Sequence, residues 1–168
     1  MRQIGFLVVV TATLLVVSCS EAKHPIDEEA KVKIDSRLLG KWGATDLRKS
    51  SVLIATDAGV IYKLTKQNDD NYHIVCKQGT RKKTLNTTGY LSVIDSALFM
   101  NVLADDTDGY FFIRILSINA KEGKVIVANI ADTTMMLLTS AAQVRERITK
   151  NLSNPLFYKD TAEFYRVK

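Results

Sequence analysis

From residue 36 onward the chain is a succession of short apolar, β-branched runs separated by turn chemistry, and that pattern leaves few folds open. Leu38-Leu39-Gly40-Lys41-Trp42 opens the series, and Val52 to Thr56 follows, closed by Asp57-Ala58-Gly59. Val60 to Lys66 alternates, with Val60, Tyr62 and Leu64 on one face. After the polar turn Asn68-Asp69-Asp70-Asn71, Tyr72, Ile74 and Cys76 share a face opposite His73, Val75 and Lys77. Arg81 to Asn86 reads as a charged strand, and Gly89 leads into Tyr90 to Ile94. Ala97 to Leu103 gives another run, and Asp105-Asp106-Thr107-Asp108-Gly109 forms a strong turn. Tyr110 to Ile118 and Lys124 to Ala131 are the clearest strands, joined through Asn119 to Gly123.

The period changes near Thr139. Ser140 and Gln143 fit a capping box, and Val144, Ile148 and Leu152 then recur every four residues, which predicts an amphipathic helix over 140–152. Asn154-Pro155 stops it, and Glu163 to Val167 returns as a last strand. About nine strands and one late helix make the chain mainly β: an antiparallel β-barrel or strongly curled sheet with one C-terminal helix. Closure is favoured because it removes sheet edges that would otherwise pair with other chains.

The first twenty residues follow another logic. Arg2 precedes an apolar run from Ile4 to Val17, which as a helix would span about 21 Å against a hydrocarbon core of about 30 Å. It reads as the h-region of a signal peptide rather than a permanent span. The run ends at Val16-Val17-Ser18-Cys19, which resembles the lipobox of bacterial lipoproteins. That resemblance implies cleavage after residue 18 and acylation of Cys19. Several acyl chains hold a protein at a bilayer where one chain does not. Ser20 after the cysteine, in place of aspartate, leans by the rule of enteric bacteria towards the outer membrane over the inner. Residues 19–35 are then expected to be a lipidated flexible tether, and 36–168 the β-barrel-like domain.

Gly40-Lys41-Trp42 resembles the Gly-x-Trp signature that begins the first barrel strand of lipocalins and of lipocalin-like domains in bacterial lipoproteins. The resemblance implies that Trp42 closes the barrel floor under a basic residue, for which Arg114 and Arg166 are the candidates. It also implies a helix packed outside near the C-terminus. The second motif of that family, a Thr-Asp-Tyr type turn, is not found in its expected form.

The remaining residues carry little chemistry. The net charge of +5 is mild, without the basic stripe of a nucleic-acid binder, so no nucleic-acid partner is expected. With Cys19 acylated, Cys76 has no partner in the chain for a disulfide, and it reads as a buried thiol. His24 and His73 are the only histidines and fall in different regions, so no metal site is expected, and His73 lies on a polar strand face. Placing Asp106, Asp108 and Gly109 in an EF-hand loop puts Ala104 and Ile115 at ligand positions, so a hairpin turn is the better account. Lys77, Arg81, Lys82 and Lys83 bracket a turn and suit a charged sheet edge more than a polyanion site. No nucleophile elbow, phosphate loop or cofactor motif occurs, and neither an enzyme nor a cofactor is expected.

The expected function is therefore that of a noncatalytic lipoprotein of the bacterial cell envelope, held to the membrane by its N-terminal lipid. It would bind a small apolar ligand in a lipocalin-like barrel. The alternative is a protein-interaction lipoprotein with a solid core, an assembly accessory or an inhibitor of a secreted effector, whose partner is an envelope protein. Alternation alone nominates Tyr62, Leu64, Tyr72, Ile74, Phe112 and Leu116 as ligand-lining.

Overall fold

The structure, a computed structural model, describes residues 21–43, 60–78, 84–104 and 107–167. The leader with Cys19, the run Val52 to Thr56, and Arg81, Lys82, Lys83, Asp105 and Asp106 lie outside the described residues.

Eight antiparallel strands close into a barrel in chain order: β1 (Gly40–Gly43), β2 (Val60–Lys66), β3 (Asn71–Gln78), β4 (Thr84–Ile94), β5 (Ala97–Leu103), β6 (Tyr110–Asn119), β7 (Lys124–Ile130) and β8 (Tyr158–Val167). Each strand pairs with the next, and β8 returns to β1 with Trp42 opposite Arg166. The one helix, α1 (Ala141–Lys150), sits in the connection from β7 to β8. Ser140 caps it by accepting from the Gln143 amide at 3.3 Å. The Gln143 side chain reaches back to the Thr139 amide, one residue earlier than a capping box requires.

Two stretches expected as separate strands, Arg81 to Asn86 and Tyr90 to Ile94, belong to the single β4 where they are described. Gly89 is not a turn between them. A Cβ there would fall 2.8 Å from both the Asn101 carbonyl oxygen and Ile74 Cδ1, so only glycine allows its neighbours to approach this closely.

Residues 21–35 are not a free tether. They lie along the outside of the barrel as a strap, and they overturn that expectation. Ala22 exchanges backbone bonds of 2.9 and 2.7 Å with Tyr110 at the start of β6. The Ile26 amide donates to Asn101 Oδ1 at 2.9 Å, the Tyr90 hydroxyl donates to the Asp27 carbonyl, and Arg145 grips the Asp27 carboxylate at 2.7 Å. Val32 then bridges to Leu91, the Ile34 amide donates to the Asp69 carbonyl, and the strap turns under the barrel through Ser36–Leu38 into β1. Ala22 and Ile26 are each 1% exposed. Backbone pairing at Ala22 and Ile34 joins bonds from the side chains of Asn101, Tyr90 and Arg145 in holding the strap.

The barrel wall separates two apolar clusters. Outside it, Ala22 and Ile26 of the strap and Val144 and Ile148 of α1 pack on Ile94, Phe99, Phe112 and Ile130. Inside it, Trp42, Leu64, Ile74, Leu91, Met100 and Ile115 face one another.

Candidate functional site

The strands run between two unlike ends. At one end lie the β2–β3, β4–β5 and β6–β7 turns together with Ser36–Leu38. This end is closed. Trp42 is 4% exposed and donates its indole N–H to the Leu38 carbonyl at 2.7 Å. The guanidinium of Arg166 stacks 4.7 Å from the Trp42 ring centre and donates to the Arg37 carbonyl at 2.8 Å. Gly40 is required here because its φ of +125° suits no other residue, and a Cβ would stand 3.0 Å from Arg166 Nη1. Arg166, not Arg114, is thus the cation on the tryptophan. Arg114 lies on the outer face, 4.7 Å over the Tyr158 ring and bonded to the Leu152 carbonyl.

Beneath this floor Tyr72 is fully buried, with its hydroxyl accepting from the Asp35 amide at 2.6 Å and donating to the Asp35 carbonyl. Burial pushes its phenol up to about 12. Asp35 is held below the usual carboxylate range by its bonds from Arg37, against the opposing effect of burial.

Above the floor the barrel is hollow. A cavity of about 180 Å³ rests on Leu38 and Trp42. Leu64, Ile74, Met100 and Val102 line one side, and Ile115, Val125, Val127 and Phe164 the other. The polar side chains facing it, apart from the tryptophan whose N–H is engaged, are Tyr62 and Asn129. Tyr62 packs edge-on against Phe164 with ring centres 5.5 Å apart. No described residue of the connections at the opposite end lines the cavity. At that end, where β5 passes into β6 and β7 into β8, the β1–β2 and β3–β4 connections lie outside the described residues.

Of the residues nominated from alternation, Tyr62, Leu64 and Ile74 line the cavity. Tyr72 faces inward but belongs to the layer below the floor. Phe112 and Leu116 require correction. Phe112 is 3% exposed in the outer cluster under α1, and Leu116 is 46% exposed to solvent. Ile113 and Ile115 are the inward residues of β6. Both faces of this strand are apolar because the helix covers the outer one, so alternation gave no phase. Leu116 has the same outward phase as Phe112 and Arg114, and a bulge between Ile115 and Ser117 shifts the register only there. Leu38, Met100, Val102, Val125, Val127 and Phe164 were not singled out from sequence. Once Trp42 was placed on the floor, the alternation of β5 and β7 was the signal that could have found them.

The other reactive groups do not converge. His73 lies on the outer face of β3, with its ring against Asn86 Oδ1 and Thr65 Oγ1. Cys76 is a half-buried free thiol whose pKa burial raises, although a hydrogen bond from Tyr62 works the other way. That raised value disfavours the nucleophilic thiolate. Thr107 and Asp108 lie in the β5–β6 connection, a hairpin closed by the Ala104 amide on the Gly109 carbonyl at 2.9 Å. Among the described residues no group of three metal-ligating side chains comes together.

Compared with protein-family models, with curated proteins and with solved structures, the chain matches none.

Proposed function

We propose that the protein is a noncatalytic lipoprotein of the bacterial cell envelope, anchored through acylated Cys19, that carries one small apolar ligand inside its barrel. The observation that carries this reading is the hollow above Trp42, walled almost wholly by hydrocarbon. Engineered cavities of about 150 Å³ with such walls stay dry and take up benzene or xenon. The space suits one slender apolar chain or ring, not a bulky drug-sized molecule, for which pockets begin at roughly 300 Å³. Each methylene moved from water into it contributes about 0.8 kcal/mol, so a short run of them gives useful affinity without any charge pairing.

The chain has a single tryptophan, and it forms the floor of this cavity. Its emission therefore reports occupancy directly. Titration with single-chain amphiphiles is expected to shift Trp42 fluorescence saturably, and native mass spectrometry of gently extracted protein is expected to retain a small apolar adduct. A flat titration together with adduct-free spectra from several preparations would reject the reading. For the anchor, metabolic labelling with a palmitate analogue is expected to mark the wild-type chain and not Cys19→Ala.

A further inference from the structure

The barrel is clad on one side only. The strap and α1 pack over the outside of β4 to β7, whereas the outward side chains of β1, β2 and β3 are exposed or half-buried. On that bare wall Lys41, Lys63 and Lys77 are all exposed. Each points outward. Trp42, Tyr62 and Leu64, beside the first two, line the cavity, and Lys77 shares the phase of His73, opposite to that of the inward Ile74.

The register brings the three together. Lys41 stands directly opposite Lys63 in the β1–β2 ladder. Lys63 stands opposite Val75, two residues before Lys77, so Lys63 and Lys77 are diagonal neighbours. Opposed side chains lie about 5 Å apart and diagonal ones about 7 Å, which makes one short row of positive charge across three strands. Like charges set opposite each other work against the sheet. Among the described residues none of the three makes an ion pair, while Lys66 and Lys124 each reach a carboxylate at 2.6 Å. The sequence suggested that Lys77 guards a sheet edge, but the closed ring leaves no edge there, since β3 is paired with both β2 and β4. Solubility calls for both signs interspersed, not for a row of one. The row therefore weakens the wall it stands on and protects no edge.

We propose that this face binds an anionic polysaccharide laid across β1, β2 and β3, with successive carboxylate or phosphate groups on Lys41, Lys63 and Lys77. Charge complementarity names the sign of the occupant, and the rest of the face narrows its kind. The outward positions of these strands hold no Trp, Tyr, Phe or Arg, the residues that anchor protein interfaces and stack on bases. Lysine offers a hydrated point charge on a long stem, which suits spaced anionic groups more than one bidentate ligand. The row also crosses the strands, so it bends with the barrel through two of the eight strand-to-strand steps, about a quarter of the ring. A flat bilayer meets a convex wall along a line, whereas a flexible chain follows the curve. The surface lies on the other side of the wall from the cavity and does not depend on what fills it.

The test is an amine footprint of the full chain in phosphatidylcholine vesicles, read by mass spectrometry after brief acetylation. Oligogalacturonate, a linear carboxylated sugar, is expected to protect Lys41, Lys63 and Lys77 while leaving the exposed Lys121 open, and neutral dextran is expected to protect none of them. Protection should fade as salt is raised. In a titration with fluorescent oligogalacturonate, Lys63→Gln is expected to weaken binding about fivefold and Lys63→Arg to restore it. The Gln variant should keep or raise the thermal midpoint, because it relieves the opposition to Lys41. Equal protection of Lys121, protection by dextran, or unchanged affinity in Lys63→Gln overturns the proposal. A lowered midpoint in Lys63→Gln makes the row structural and overturns it too. Protection of the three lysines by phosphatidylglycerol in the vesicle, with none from the sugar, replaces the polysaccharide by a bilayer and likewise overturns it.

Discussion

The two sides of the barrel wall are filled differently. Outside, Phe99, Met135, Val144 and Ile148 are fully buried and the strap and helix close over them. Inside, Leu64, Val102 and Ile115 keep 8–9% of their surface open to a hollow of about 180 Å³. In a barrel whose interior were its only core, such a void would be a defect, because missing contacts are lost stability. Here the outer cluster supplies a second core, which leaves the interior free to be incomplete. Stability and binding are thereby assigned to opposite faces of the same strands.

The sharpest way to break this contrast is truncation on both sides. Phe99→Ala is expected to cost about 3–5 kcal/mol in urea unfolding, while Leu64→Ala, beside an existing void, should fall near the low end of its class at about 2 kcal/mol. Equal losses would mean that the two faces share the load. Next is the strap. Asp27→Ala removes the carboxylate that Arg145 grips and leaves that guanidinium only the Val93 carbonyl, for an expected loss of about 2 kcal/mol. Hydrogen exchange should rise over residues 21–35 and not over β2 or β3. Uniform deprotection would show that the strap is inseparable from the barrel.

A smaller effect probes the floor. Burial holds the Tyr72 phenol at about 12 in the folded chain, above the value of about 10 expected when unfolded. A pKa raised on folding contributes stability that is present below pH 10 and is lost as pH climbs towards 12. Tm should fall over that interval, and Tyr72→Phe should flatten part of the fall, at a cost near neutrality of about 1 kcal/mol. Tyr90 on the outer side is also pushed up, chiefly by burial, so some alkaline loss should persist in the variant. The smallest change in stability is expected from Val102→Phe, which fills the hollow and should move unfolding by less than about 1 kcal/mol. Its value lies in the contrast: the ligand-induced shift in Trp42 emission should disappear. A variant that still responds would place the ligand elsewhere.

How much of this the sequence disclosed depends on what covers each strand. On β2 and β3 the outward positions Lys63, Thr65 and His73 are polar, so alternation gave the phase and led to Tyr62, Leu64 and Ile74. On β6 the outward Phe112 is as apolar as the inward Ile113, because α1 lies over it, and the phase was lost. The helix itself was plain from its cap and period, since its other face meets water. The strap was missed for a different reason. Residues 21–35 are mostly charged, and only Ala22, Pro25 and Ile26 are buried among them. What fastens them is backbone bonding to Tyr110, the Asn101 amide oxygen and the grip of Arg145, partners far along the chain that local composition does not register.

That remoteness has a consequence for how the molecule is born. Consecutive strands of the ring are sequence neighbours and can join as they emerge, but Ile26 waits for Asn101, and Asp27 for Arg145. A polypeptide delivered from its N-terminus therefore exposes its earliest stretch until nearly the whole length has appeared. The strap is therefore the last part of the described chain to be fastened, although it is among the first to be made.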